Sequence, residues 1–454
     1  MSTLKSLRKS PRYLKGAPDG QSRPDRGNSP RGRRPWAVAA AWLATRALMV
    51  WLLAHDHLAP LGRSGVSREV RHLYFGWYGV LKQGAFPSGD HLWQYPPGAG
   101  PVLLAPALLP ALTYFTAFVT LTLATDAVIT WTLTRAGLRP GRSLRGAALW
   151  VLALPLLLHL PLARYDVQVT AFAVLSLLSL TRSPRACGAF AALGALVKVW
   201  PALALVGTPR GRTTREAWTS AAVAAVALLA LLAALFRNSF DFLRQQGGRG
   251  VQIESLGGTV LGLARHAGWP GRARYRYGAM EFVGPYVAEV AAVSLALTVA
   301  AFGLLLLWRV RARHWTTATP YDAALAAVLL FTVTSRVISP QYMVWLLGLS
   351  AVCLTSRHTT QRPVVALLVT ATAVSSVIYP ALYGEVVHST WTGCALMVVR
   401  NGLLVTAAGL SLVRLWRPGP VAALPDPAAS YRHAGTAGGT PLAFRAGHRA
   451  PFNG

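Results

Sequence analysis

The chain has 454 residues, of which 53% are hydrophobic and only 13% charged. A soluble chain of this size carries about a quarter charged residues, so the deficit excludes an ordinary soluble domain. The formal net charge of +30 does not indicate nucleic acid. Lys and Arg gather in the first 34 residues and at the ends of apolar runs, the positive-inside pattern of a multi-pass membrane protein.

Residues 1–35, with Lys5, Arg8, Lys9, Arg12, Lys15, Arg31, Arg33 and Arg34, are rich in Pro, Gly and Ser and form an expected disordered, basic cytoplasmic tail. No small-residue cleavage site follows the first apolar run, so that run is expected to stay as an anchor. It covers 36–54, about the 20 residues needed to cross a bilayer. Residues 55–112, rich in Trp, Tyr, Pro and Gly, read as a long external loop, and 113–134 return to the basic turn of Arg135, Arg139, Arg142 and Arg145. Residues 146–161 go out and 167–181 come back to Arg182 and Arg185. The apolar run 187–207 has basic turns on both sides and is broken at Lys198-Val199-Trp200-Pro201, which predicts a re-entrant hairpin. Spans then follow at 217–236, 285–308, 321–335, 343–355, 364–383 and 391–413, with a second external loop at 237–284. The expected fold is therefore all-α and polytopic, with about ten transmembrane helices, a hairpin, two large external loops and both termini cytoplasmic. The domain boundaries are 36–415 for the membrane domain and 416–454 for a second disordered cytoplasmic tail. Cys187, Cys353 and Cys394 lie apart in apolar segments and read as packing residues.

Polar groups at membrane depth and charges that break the inside rule mark candidate sites. Asp126, in the middle of the second span, needs a donor on a neighbouring helix. Glu69 is a candidate base or half of a surface pair with Arg68 or Arg71, and Asp166 a candidate acid or a local partner of Arg164. Asp90 is the remaining candidate external carboxylate. Lys198, at the hairpin break, needs an anion or snorkels. Arginines of the second loop, Arg249 among them, and Arg336 could hold phosphate, because a guanidinium fork matches its oxygens. Trp93, Gln94 and Tyr95 form a rigid aromatic loop end on the interface. The histidines lack metal-ligand spacing and there is no Gly-rich phosphate loop, which speaks against a nucleotide-driven pump.

The ordered set Tyr74…Trp77…Leu81…Gly84…Pro87…Trp93-Gln94-Tyr95-Pro96-Pro97-Gly98, Arg164-Tyr165-Asp166, Lys198-Val199-Trp200-Pro201, Arg249-Gly250-Val251-Gln252-Ile253-Glu254-Ser255 and Ser335-Arg336-Val337-Ile338-Ser339-Pro340-Gln341-Tyr342 resembles glycosyltransferase family 87, membrane enzymes of the GT-C class. The resemblance implies a GT-C-like fold, a polyprenyl-phosphate sugar donor, mannose above all, and inverting transfer to a glycolipid, glycan or protein acceptor outside the plasma membrane. It also implies an essential acid, usually Asp, in the first external loop. The matching stretch here carries Glu69, one residue further from Tyr74 and Trp77 than the class pattern. Asp90 and Asp166 are the alternatives. Arg249, Arg336, Lys198 and Arg164 are the candidate phosphate ligands. Trp93, Gln94, Tyr95, Gln252, Glu254, Gln341 and Tyr342 are candidates for the acceptor side. No cofactor is required by this reading, though a divalent cation, Mg or Mn, is a further candidate for neutralising the leaving phosphate. Two other readings stay open: a lipid or solute transporter or flippase, and a non-catalytic assembly partner of the same fold.

Overall fold

The computed structural model describes residues 35–58, 65–245, 250–312 and 315–417. Residues 1–34 and 418–454 of the two expected tails, and Arg249, lie outside these residues. Helix α1 (Pro35–Ala54) is followed by a composite segment: α2 (Gly65–Arg68), a π-helical turn (Glu69–Tyr74) and α3 (Phe75–Leu81). Next come α4 (Ala99–Leu104), α5 (Tyr114–Leu138), α6 (Arg145–Ala153), α7 (Asp166–Ser179) and α8 (Pro184–Val197). A 3₁₀ helix (Trp200–Gly207) leads to α9 (Arg212–Leu235) and α10 (Phe242–Gln245). Then follow β1 (Val251–Gln252), α11 (Leu256–His266), β2 (Arg272–Arg276), β3 (Ala279–Val283) and α12 (Val287–Arg311). The chain closes with α13 (Thr319–Thr334), α14 (Tyr342–Thr355), α15 (Arg362–Ser376), α16 (Tyr383–Val387) and α17 (Trp391–Trp416).

The protein is an all-α polytopic membrane protein. Among the described residues, six helical segments are both long and apolar enough to span, those beginning at Pro35, Tyr114, Arg212, Val287, Arg362 and Trp391. The shorter α13 and α14 have nearly every residue buried, so they form the centre of the bundle, with α9 and α12 presenting apolar faces outward. Between apolar helices in lipid, association comes from close packing rather than from exclusion of water. Small residues provide it here. A Cβ on Gly146 would meet the Ala351 carbonyl, and one on Gly188 would meet the Ala217 carbonyl.

The hairpin expected at 187–207 is present. Ser183 caps α8 by accepting from Ala186 N, and Pro184 occupies the first turn, where its missing N–H costs nothing. Helix α8 climbs from the side of the basic turns, stops at Lys198 in extended conformation, and the 3₁₀ helix descends. The descending arm ends beside the start of α13, with Gly207 on Pro320 and the Thr208 carbonyl accepting from Arg309. Both ends of the hairpin therefore lie on one side, which resolves the conflict between the two flanking basic turns.

The second loop adds a feature not expected from composition, a three-stranded antiparallel sheet of order β1-β3-β2. Tyr277 and Gly278 both have positive φ, the two-residue turn that matches strand twist in a hairpin. Arg272, Arg274 and Arg276 alternate with Ala273 and Tyr275 along β2, and Val251, Phe282 and Met280 pack on the apolar face. The two loops touch each other: Phe86 N donates to the Arg237 carbonyl, and Asn238 reaches Ser88.

Candidate active site

Sequence neighbours do not pair as sequence suggests. Glu69 bonds neither Arg68 nor Arg71 but Arg164, at 2.7 Å, and Arg71 lies over the Phe115 ring. Asp166 is not the local partner of Arg164; it takes Lys198 at 2.6 Å. One three-residue turn, Arg164-Tyr165-Asp166 at the start of α7, thus anchors two ion pairs that join the first loop, the hairpin and the bundle.

Arg164 is well placed to fix Glu69. Its Nη1 donates to the carbonyls of Val66 and Ala163, and its Nη2 meets the carboxylate, so the guanidinium cannot turn. Burial disfavours its charge, but Glu69 and the nearby tyrosines outweigh this and raise its pKa above the ordinary value. The Arg164 side chain is 8% exposed and that of Glu69 24%, which leaves the carboxylate with an open edge. Tyr74 below it is fully buried, and its phenol is pushed well up by burial and then by Glu69.

Glu69 opens a π turn. A π turn closes i to i+5 and occurs as a one-residue insertion in a helix, often at a functional site. The turn spans Glu69–Tyr74 itself. A turn of this width sets Glu69 above Tyr74, five residues on, much as a residue four positions earlier would stand in an unbroken α-helix.

On the other side of Tyr165, Asp166 Oδ1 accepts from Lys198 Nζ and from Trp345 Nε1, each at 2.6 Å. The ammonium sits inside a ring of aromatics, 4.8 Å from the centroid of Tyr165, 5.1 Å from Trp345, 5.9 Å from Tyr342 and 6.0 Å from Tyr95. Cation–π attraction within about 6 Å adds to the ion pair in such a place. Lys198 therefore does not snorkel. Asp166 Oδ2 is buried and without a hydrogen-bond partner.

Among the other candidates, Asp90 is held by Trp77 Nε1 at 2.7 Å and by Leu92 N at 2.9 Å. Trp93 is 2% exposed and Gln94 9%, so both are packing residues of the loop rather than an interfacial belt, while Tyr95 packs on Tyr165. Gly98 rests so closely on the Leu196 backbone that no Cβ would fit, which docks this loop end on the hairpin. Gln252 N donates to the Arg336 carbonyl and Gln252 Nε2 to Ser339, which brings the second loop onto the segment that carries Arg336, Gln341 and Tyr342. Glu254 meets α17. It is buried against Arg400 of α17, at 3.2 Å, and burial pushes its carboxyl up to about 7 while Arg400 pulls the other way. Among the described residues no three of His, Cys, Asp and Glu come together as metal ligands.

Three residues were not singled out in the sequence. Arg46 of α1 is the donor that Asp126 needed, and its signal was a charged residue within the first span. Arg400 carries the same signal in the last span. Asp56, just past α1, is buried and accepts from Ser67 N at the start of α2.

Residues 93–340 match glycosyltransferase family 87, more than half of the chain. The match contains Arg164, Asp166, Lys198 and Arg336, and Glu69 lies upstream of it. A search of curated proteins finds no match. The chain belongs to glycosyltransferase family 87.

Proposed function

We propose that this member of family 87 transfers a sugar, mannose in the first instance, from a polyprenyl-phosphate donor to an acceptor hydroxyl outside the plasma membrane, with inversion. The observation that carries the reading is the Arg164-Tyr165-Asp166 turn, which sets a partly open carboxylate, Glu69, close to the Asp166–Lys198 pair. Glu69 takes the acceptor proton as the hydroxyl oxygen attacks the anomeric carbon from the face opposite the phosphate. The bond from that carbon to the phosphate oxygen breaks, and the phosphate leaves with the electron pair. A positioned base and a preorganised cation are the two terms such a displacement needs. Lys198 and Arg336 face the leaving phosphate in this proposal, and Arg164 acts through Glu69 as its positioning residue. No step is routed through a metal ion. The direct test is whether membranes holding the protein consume polyprenyl-phosphate mannose and form a new glycoside. Unchanged donor would sink the reading.

Two further expectations follow from the same assignment. Arg336→Ala should weaken donor binding by about 1.5–3 kcal/mol, the worth of a charge-assisted bond. Arg336→Lys should also be poor, since a point ammonium does not replace a planar fork. Donor titration of the purified variants measures this, and wild-type affinity in both would remove Arg336 from the site. For orientation, both termini are assigned to the cytoplasm because Arg turns cluster on that side. Reporter fusions after Arg142, Arg212, Arg311, Arg357 and Arg417 should report cytoplasm, and insertions near Asp90 and Arg272 the exterior. An external report at Arg212 would reverse the hairpin assignment.

A further inference from the structure

Between α3 and the segment 85–90 runs an open groove of about 360 Å³, lined by His72, Leu73, Gly76, Trp77, Phe86 and Asp90 among others. Its volume lies in the range of small-ligand clefts, about 300–1,000 Å³. Glu69 itself does not line it, but the groove starts one turn further along the same segment, at His72 and Leu73. Leu73 follows Glu69 by four residues on the same π turn, and so lies on nearly the same side of the helix. The exposed Tyr275 of the β2–β3 hairpin is within electrostatic reach of Glu69, Arg164 and Asp90 together, and Tyr277 at the hairpin turn meets His91 edge-on.

The lining is that of a saccharide site. Asp90 is locked by one donor on each oxygen, Trp77 Nε1 and Leu92 N, and each oxygen keeps a lone pair for a sugar hydroxyl. His72 is exposed at the rim, and Leu73 and Phe86 provide an apolar wall for the C–H face of a ring. A prenyl chain there would desolvate the Asp90 carboxylate and offer it no hydrogen bond in return. The floor is open because Gly76 has no side chain, and a Cβ there would meet nothing within 4 Å.

We propose that this groove holds the acceptor as a glycan chain, its reacting hydroxyl at Glu69 and its other sugar residues along α3 toward Asp90. The placement of the reacting end rests on the reading of Glu69 as the base. The test uses the full chain in nanodiscs, with mannotriose, maltotriose and arabinotriose as probes and saturation-transfer NMR as the readout. At least one trisaccharide should bind, and Gly76→Leu should weaken that binding tenfold or more by filling the floor. Gly79→Leu is the matched control. It too meets nothing within 4 Å, but it lines only the neighbouring hollow, with Phe75, Tyr78 and Lys82, whereas Gly76 borders both. Both substitutions raise helix propensity, so neither should unfold the segment. Gly79→Leu should bind as wild type. The groove assignment is overturned if none of the probes binds, if Gly76→Leu binds unchanged, or if Gly79→Leu loses as much. Binding that follows this pattern without any sugar transfer would uphold the groove and overturn the catalytic reading instead.

Discussion

Glu69→Gln is expected to abolish turnover while leaving donor binding intact. Removing a positioned base typically costs about a hundred- to ten-thousand-fold in rate. The glutamine keeps the volume of Glu69 and can still hydrogen-bond Arg164 through its carbonyl oxygen, so the 2.7 Å contact survives in neutral form. The measurement is single-turnover transfer at saturating donor, with donor affinity taken separately. Asp90→Asn and Asp166→Asn are the carboxylate controls, and they differ in what they should do. Asp90 stands in the groove with two donors, so its amide should weaken acceptor use more than chemistry. Asp166 holds Lys198 and Trp345, so its amide should disturb the leaving-group side. If Glu69→Gln turns over normally and Asp90→Asn does not, the base is Asp90. If all three remain fully active, no carboxylate base operates in this protein.

The second large effect is expected midway along the bundle, in stability rather than rate. The Asp126 carboxylate is buried and receives four donors: Arg46 Nε at 2.8 Å, Arg46 Nη2 at 2.9 Å, Trp150 Nε1 at 2.7 Å and Trp42 Nε1 at 2.5 Å. Helix α1 has little other buried surface, with Arg46, Met49 and Leu53 as its buried residues. This pair is therefore the main polar contact that seats α1 on α5 and α6. Asp126→Leu leaves a buried guanidinium with two unpaired donors, and breaking one half of such a pair costs about 3–5 kcal/mol. Thermal denaturation of the purified protein in detergent should show a loss of that size. The double variant Arg46→Met/Asp126→Leu should recover much of it, because a buried pair replaced as a whole by apolar side chains is often close to neutral. Equal stability of the single and double variants would mean that the pair does not hold α1.

The candidate site was legible in parts and for identifiable reasons. Glu69 was marked by its place after the first span and Lys198 by the Pro-containing break of an apolar run. What could not be read was which charge meets which. Arg68 and Arg71 flank Glu69 in sequence, yet the helical turn carries both away from it, and the partner comes from a segment almost a hundred residues on. The π turn at Glu69–Tyr74 is likewise invisible until backbone hydrogen bonds are drawn. Arg46 and Arg400 were overlooked because single arginines in long apolar runs resemble ordinary variation. Each proved to be the counterpart of an acid, Asp126 and Glu254, on a different element. The β2–β3 hairpin carried a local signal, alternation on either side of Tyr277-Gly278, that a reading for helices passed over.

The amino-acid order by itself determined the class of the fold. Apolar runs of spanning length and arginines at their ends dictate helices and basic turns, because lipid leaves the backbone no partner outside its own segment and charge crosses lipid at high cost. It also determined the hairpin, since two basic turns around one broken run admit little else. Tertiary structure alone decided the chemistry of the site. Ion-pair partners, the ring of aromatics about Lys198 and the groove beside α3 are contacts between segments far apart in the chain. Their choice is set by how helices pack at close quarters, where glycines such as Gly98 and Gly188 let backbones touch, and no local pattern encodes that distance.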